Sequence, residues 1–141
     1  MRSVFFGFLL CISCFVKGQE ITQRIILIGD AGEINHKQET LIPQAASKII
    51  DGKTSVFFLG DNIYPHGMDL EVANQAIGQE ILKAQYEPFR KQNVPAYFIA
   101  GNHDWDKSGI LGLEKIKAQA DFIDKQEDKN PSATAQESAS I

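Results

Sequence analysis

Val56-Phe57-Phe58-Leu59-Gly60-Asp61-Asn62-Ile63-Tyr64 lies near the middle of a 141-residue chain. Its first four residues are apolar, three of them β-branched or aromatic. They run without a break into glycine and then into polar side chains. An uninterrupted apolar run of this length predicts a strand buried on both faces, as in a parallel sheet. The glycine lets the backbone turn sharply at the strand end.

The same pattern occurs on either side. Upstream, Ile25-Ile26-Leu27-Ile28 runs into Gly29-Asp30. Downstream, Ala96-Tyr97-Phe98-Ile99-Ala100 runs into Gly101-Asn102-His103-Asp104. Between the runs, apolar residues recur at helical spacing. The pattern predicts one helix over Glu39 to Ile50, closed by Asp51-Gly52, and a second over Asp69 to Arg90. A third is predicted over Gly112 to Lys125, with Leu113, Ile116, Ala120 and Ile123 on one side. The expected fold class is therefore α/β, a βαβαβ unit with a three-stranded, mainly parallel sheet and flanking helices. Ligands of parallel sheets bind beyond the carboxyl ends of the strands. Asp30, Asp61 and Asn102 fall just past three such ends.

The composition is that of an ordinary globular domain, 43% hydrophobic and 23% charged, which excludes a collagen-like or wholly disordered chain. A formal net charge of −4 argues against a nucleic-acid partner, which calls for a basic face. Residues 1–18 stand apart. Arg2 precedes the uncharged run Val4–Val16, too short to span a membrane but suited to a secretory signal. Val16 and Gly18 suit a cut before Gln19, which predicts an exported protein, periplasmic, cell-surface or secreted. A buried strand, an uncleaved anchor and a lipoprotein cut before Cys14 are the other readings of this run. Cleavage before Gln19 removes both cysteines and takes the net charge from −4 to −6. Residues 19–127 then form the domain, and the polar stretch 128–141 reads as a loop or frayed tail.

Two carboxylates and a carboxamide gathered at one edge call for a cation, because hard cations prefer oxygen ligands. Two-metal sites use a shared ligand for displacement at phosphorus, and Asp61, central in chain order, is the candidate bridge. Gly-Asp after a strand also occurs as a simple turn or helix cap. His36 and His66 read as solvated loop histidines more readily than as ligands, and Trp105 as a packing residue.

Gly29-Asp30-Ala31-Gly32, Leu59-Gly60-Asp61-Asn62-Ile63-Tyr64 and Gly101-Asn102-His103-Asp104 resemble the first three motif blocks of calcineurin-like metallophosphoesterases. The form Asp30-Ala31-Gly32 and the position of Tyr64 resemble the purple acid phosphatase branch. The resemblance covers about residues 24 to 106. It implies a partial metallophosphoesterase sandwich and two metal ions, Fe(III) plus a divalent ion (Zn, Mn or Fe). It implies Asp30 and Tyr64 on the first metal, Asp61 on both and Asn102 on the second. It implies His103 as the acid that protonates the leaving group, with Asp104 orienting its imidazole. The implied reaction is attack of a hydroxide held by the two metals on a phosphate ester, either a small molecule or a phosphoprotein.

The chain departs from the family pattern at Gly32, where most members carry histidine. It also departs after residue 103, where no further histidine follows. The expectation is the amino-terminal part of a longer hydrolase, inactive alone. The alternatives are a non-catalytic exported module with a weak cation or phosphate site, and a truncated product that folds poorly.

Overall fold

The computed structural model describes residues 19–127. The expected export segment and polar tail lie outside the described residues. The elements run β1 (Arg24–Ile28), α1 (His36–Ala46), β2 (Thr54–Leu59), α2 (Gln75–Arg90), β3 (Ala96–Ile99) and α3 (Gly112–Glu127). Short 3₁₀ turns occupy Val72–Asn74 and Asp106–Ser108. All strand pairs are parallel and the sheet order is β1-β2-β3. The α/β, βαβαβ expectation holds.

The expectation of strands buried on both faces does not. In the register Ile26↔Val56↔Ala96 and Ile28↔Phe58↔Phe98, one face of the sheet turns inward. Val56 and Phe58 on β2 are fully buried there, among Ile42 and Ala46 of α1 and Ile81, Leu82, Tyr86 and Phe89 of α2. Phe58 stacks on Phe98 at 4.6 Å and meets Phe89 edge-on at 6.1 Å. α3 adds Phe122 to this layer. The opposite face is bare: Ile25, Leu27, Leu59, Tyr97 and Ile99 are exposed, Leu27 by 61%. The side-chain period of a strand is two, so a continuous apolar run paints both faces whether or not both are covered. Helices that all lie on one side leave the other uncovered.

Two helix starts differ from the spacing. α1 begins at His36, earlier than expected, because the Asn35 side chain accepts from the backbone N–H of Lys37 and Gln38. It ends at Ala46, and Asp51-Gly52 belongs to the following turn. α2 begins only at Gln75. Asp69 ties its own loop instead, accepting from the N–H of Glu71 at 2.8 Å, while Gln75 Nε2 donates to its carbonyl. An Asx turn of this kind competes with the helix for the same backbone groups.

Candidate metal centre

Asp30 and Asp61 each follow a strand and a glycine, and each adopts a left-handed backbone, φ 54° and 53°. That conformation is uncommon without glycine and marks places where the fold holds a residue against its preference. It is held here from several directions. The Asp30 N–H donates to the Gly60 carbonyl at 3.2 Å, and Tyr64 N–H donates to the Gly32 carbonyl at 2.9 Å. Gly60, at φ 101°, lies against the backbone of Gly101. A side chain on Gly101 would collide with Asp61 itself.

The three loops thus meet backbone to backbone, and this closeness explains Gly32. A Cβ there would strike the Asp61 carbonyl and come within 2.8 Å of Ile63 N. No histidine fits the position where the resembling family places one.

The Tyr64 hydroxyl joins the two carboxylates. Its oxygen lies 2.9 Å from Asp30 Oδ1 and 3.1 Å from Asp61 Oδ2, so its single proton serves one carboxylate at a time. Those two contacts keep the carboxylate oxygens no more than about 6.0 Å apart, the sum of the two distances. Among the described residues no Lys, Arg or His side chain pairs with either carboxylate. Two negative groups so close, with one phenol proton between them, form an oxygen donor set suited to a hard cation. Desolvation, then the hydrogen bonds to Asp30 and Asp61 and their charges, push the Tyr64 phenol well above its ordinary range. Among the described residues no three His, Cys, Asp or Glu side chains cluster as a ready-made metal site; the group that joins the two carboxylates here is the Tyr64 phenol.

His103 stands beside this pair. Its backbone N–H donates to Asp61 Oδ1 at 3.0 Å, and its ring meets the Tyr64 ring edge-on at 4.5 Å. Nδ1 lies 2.8 Å from the Pro65 carbonyl. A carbonyl only accepts, so Nδ1 carries the proton. Asn102 is exposed at the same edge, and its carbonyl accepts from Lys107 N–H. Its side chain makes no hydrogen bond among the described residues.

Asp104 departs from its expected role. Its carboxylate is fully buried and accepts from the N–H groups of Asn62, Ile63 and Gly101 and from Asn62 Nδ2, all within 3.1 Å. It is the pin that joins the second and third loops, and it does not touch His103. Burial raises its pKa, against the pull of those backbone donors. The orienting partner of His103 is the Pro65 carbonyl.

Three positioning residues escaped the sequence reading. Gln38 Nε2 on α1 donates to the Ala31 carbonyl at 2.6 Å. Gln85 Nε2 on α2 donates to the Asn62 carbonyl at 2.8 Å, and Asn62 Nδ2 donates to Ile99 O. A signal existed for Gln85, which interrupts the apolar stripe of α2 between Leu82 and Phe89; Gln38 precedes the apolar residues of α1 and carried none. His36 is the first residue of α1, behind the Asn35 cap, and His66 faces Asp106.

No curated protein and no solved structure matches the chain. A family model described as Calcineurin-like phosphoesterase matches residues 23–136. That span holds the three strands, the loops that end them and the Asp30–Asp61–Tyr64 cluster. With most of its length matched and the three motif loops converging on one sheet edge, the chain belongs to the calcineurin-like phosphoesterase family, whose members hydrolyse phosphoesters with the help of metal ions.

Proposed function

We propose that this chain carries one half of a dinuclear centre of the purple acid phosphatase-like kind, acting on phosphate monoesters outside the cytoplasm. The observation that carries the reading is the Tyr64 hydroxyl spanning Asp30 and Asp61. Asp30, Asp61 and Tyr64 would hold an Fe(III) ion, and Asp61 with Asn102 would reach a second, divalent ion (Zn, Mn or Fe). The metals, when bound, supply a nucleophile at neutral pH and a clamp on the ester oxygens. Everything else falls to the chain. Asp30 and Asp61 arrive preset by their left-handed turns. The neighbouring glycines keep the loops close enough for one phenol to reach both.

His103 handles the proton of the leaving group. With Nδ1–H on the Pro65 carbonyl, Nε2 is the atom left to face substrate. As imidazolium it gives the Nε2 proton to the departing alkoxide and remains as the Nδ1–H tautomer, which Pro65 already accepts. General-acid help of this kind is worth about 10²–10⁴-fold. A small phosphate ester is the substrate of first choice, with a phosphoprotein the other class. The uncharged run at Val4–Val16 supports export.

The test is to load the chain with Fe(III) and a divalent ion and record its visible spectrum. A phenolate-to-iron band is expected, absent in Tyr64→Phe, with iron uptake lost in Asp61→Ala. Iron bound without such a band overturns the branch assignment. Turnover of an aryl phosphate, lost in Asp61→Ala, is the accompanying assay. Weak cation uptake that neither Tyr64→Phe nor Asp61→Ala alters favours the alternative, a non-catalytic module with a weak cation or phosphate site.

A further inference from the structure

The loop that carries Tyr64 is anchored from the far side by one lysine. Lys115 lies in the first turn of α3, its side chain only 16% exposed. Its Nζ donates to the His66 carbonyl at 2.8 Å and lies 3.1 Å from Asp106 Oδ1. The same Asp106 oxygen is 3.2 Å from Nδ1 of His66. Both partners of the ammonium adjoin His103. The peptide at Pro65-His66 contains the carbonyl that receives the His103 Nδ1 proton. Asp106 N–H donates to the His103 carbonyl at 2.9 Å.

One charged group therefore grips the two pieces of backbone that hold His103, one by its ring and one by its main chain. We infer that Lys115 is a positioning residue for His103, keeping the imidazole in the Nδ1–H tautomer with Nε2 free towards the metal edge. The inference rests on the reading of His103 as the proton donor.

The turn beneath Lys115 explains why such a tether matters. Asp106, Lys107 and Ser108 have φ of 52°, 53° and 67°, three left-handed residues in a row and none of them glycine. L-residues adopt this conformation reluctantly and seldom consecutively. The turn is kept by Lys107 N–H on the Asn102 carbonyl, Ser108 N–H on Trp105, and Gly109 N–H on Asp106. The Asp106 carboxylate adds the link to Lys115. Without the ammonium the carboxylate and the His66 carbonyl lose their common donor. The turn is then free to relax towards ordinary backbone angles, drawing Asp106 away from His103.

The test reads the tautomer itself, by long-range proton–nitrogen NMR of the His103 ring in the metal-free chain at a pH where the imidazole is neutral. The wild type is expected to show a protonated Nδ1. In Lys115→Met the ratio of Nδ1–H to Nε2–H should fall about fivefold, the weight of one net hydrogen bond. Lys115→Arg should restore it, since a guanidinium also donates to a carbonyl and a carboxylate. Asp106→Asn gives a second route if Lys115→Met fails to fold, because asparagine tolerates the left-handed turn; the same shift is expected there. A folded variant with an unchanged tautomer ratio overturns the inference. The measurement needs neither metal nor substrate, so its failure is distinct from a failure of the phosphoesterase reading.

Discussion

Asp104 shows how a residue beside a catalytic candidate can work for the fold instead. Its carboxylate satisfies the N–H groups of Asn62, Ile63 and Gly101, which lie in two different loops. Leaving a buried donor without a partner costs about 1–3 kcal/mol. Asp104→Ala is therefore expected to lower stability by about 3–5 kcal/mol, read from urea denaturation of the metal-free chain. A residue that only oriented an imidazole would leave that midpoint where it was. The motif Gly-Asn-His-Asp was legible in the sequence as chemistry. The division of labour inside it was not, because Asn62 and Ile63, the partners that Asp104 ties to its own loop, lie 42 and 41 residues away. Gly32 and Gly101 belong to the same lesson. Each is required by a neighbour in another loop, and the chain next to them gives no sign of that neighbour.

At the scale of the elements, α2 is the helix that both builds the core and reaches the site. Its Gln85 holds the Asn62 carbonyl, and its Tyr86 is buried against the sheet, edge-on to Phe98 at 6.4 Å. Burial raises the Tyr86 pKa, with Glu87 adding to it and Arg90 pulling the other way. In the unfolded chain this phenol ionises near about 10. Above that pH the unfolded state holds fewer protons than the folded one. The contribution is thus full below about pH 10 and is lost as pH rises through the folded value. Tyr86→Phe should flatten this alkaline decline, leaving the part due to Tyr64, as read by urea midpoints between about pH 9 and pH 11. Helix existence was legible from apolar spacing. Helix starts were decided by Asn35 and Asp69, whose side chains compete for backbone donors, one to open a helix and the other to delay one.

For the molecule as a whole, the dominant feature is the contrast between the two faces of its sheet. Phe58 faces the helices and is completely buried, while Leu27 and Tyr97 stand open on the other side, Tyr97 stacked on Phe57 at 4.8 Å. Large contiguous apolar exposure on a folded surface takes up apolar probes. The described chain is expected to bind anilinonaphthalene sulfonate while retaining its near-ultraviolet dichroism. Leu27→Ser should weaken that binding at a cost of about 1 kcal/mol or less. Phe58→Ala on the covered face should cost about 3–5 kcal/mol. Equal costs at the two positions would mean that the open face is covered in solution.

By itself the sequence determined the strand–glycine–polar sentence, its three repeats and hence a parallel sheet with Asp30, Asp61, Asn102 and His103 at its carboxyl edge. Those features are local: apolar period, turn chemistry and spacing are all written in consecutive residues. Only the tertiary structure decided which sheet face is covered, and that Tyr64 spans two carboxylates. It alone placed Asp104 as a pin between loops and Lys115 behind His103. Each of these depends on where separate segments meet. Burial and hydrogen bonding belong to pairs of groups brought together by packing, and neither member of such a pair carries the other's address in its own stretch of chain.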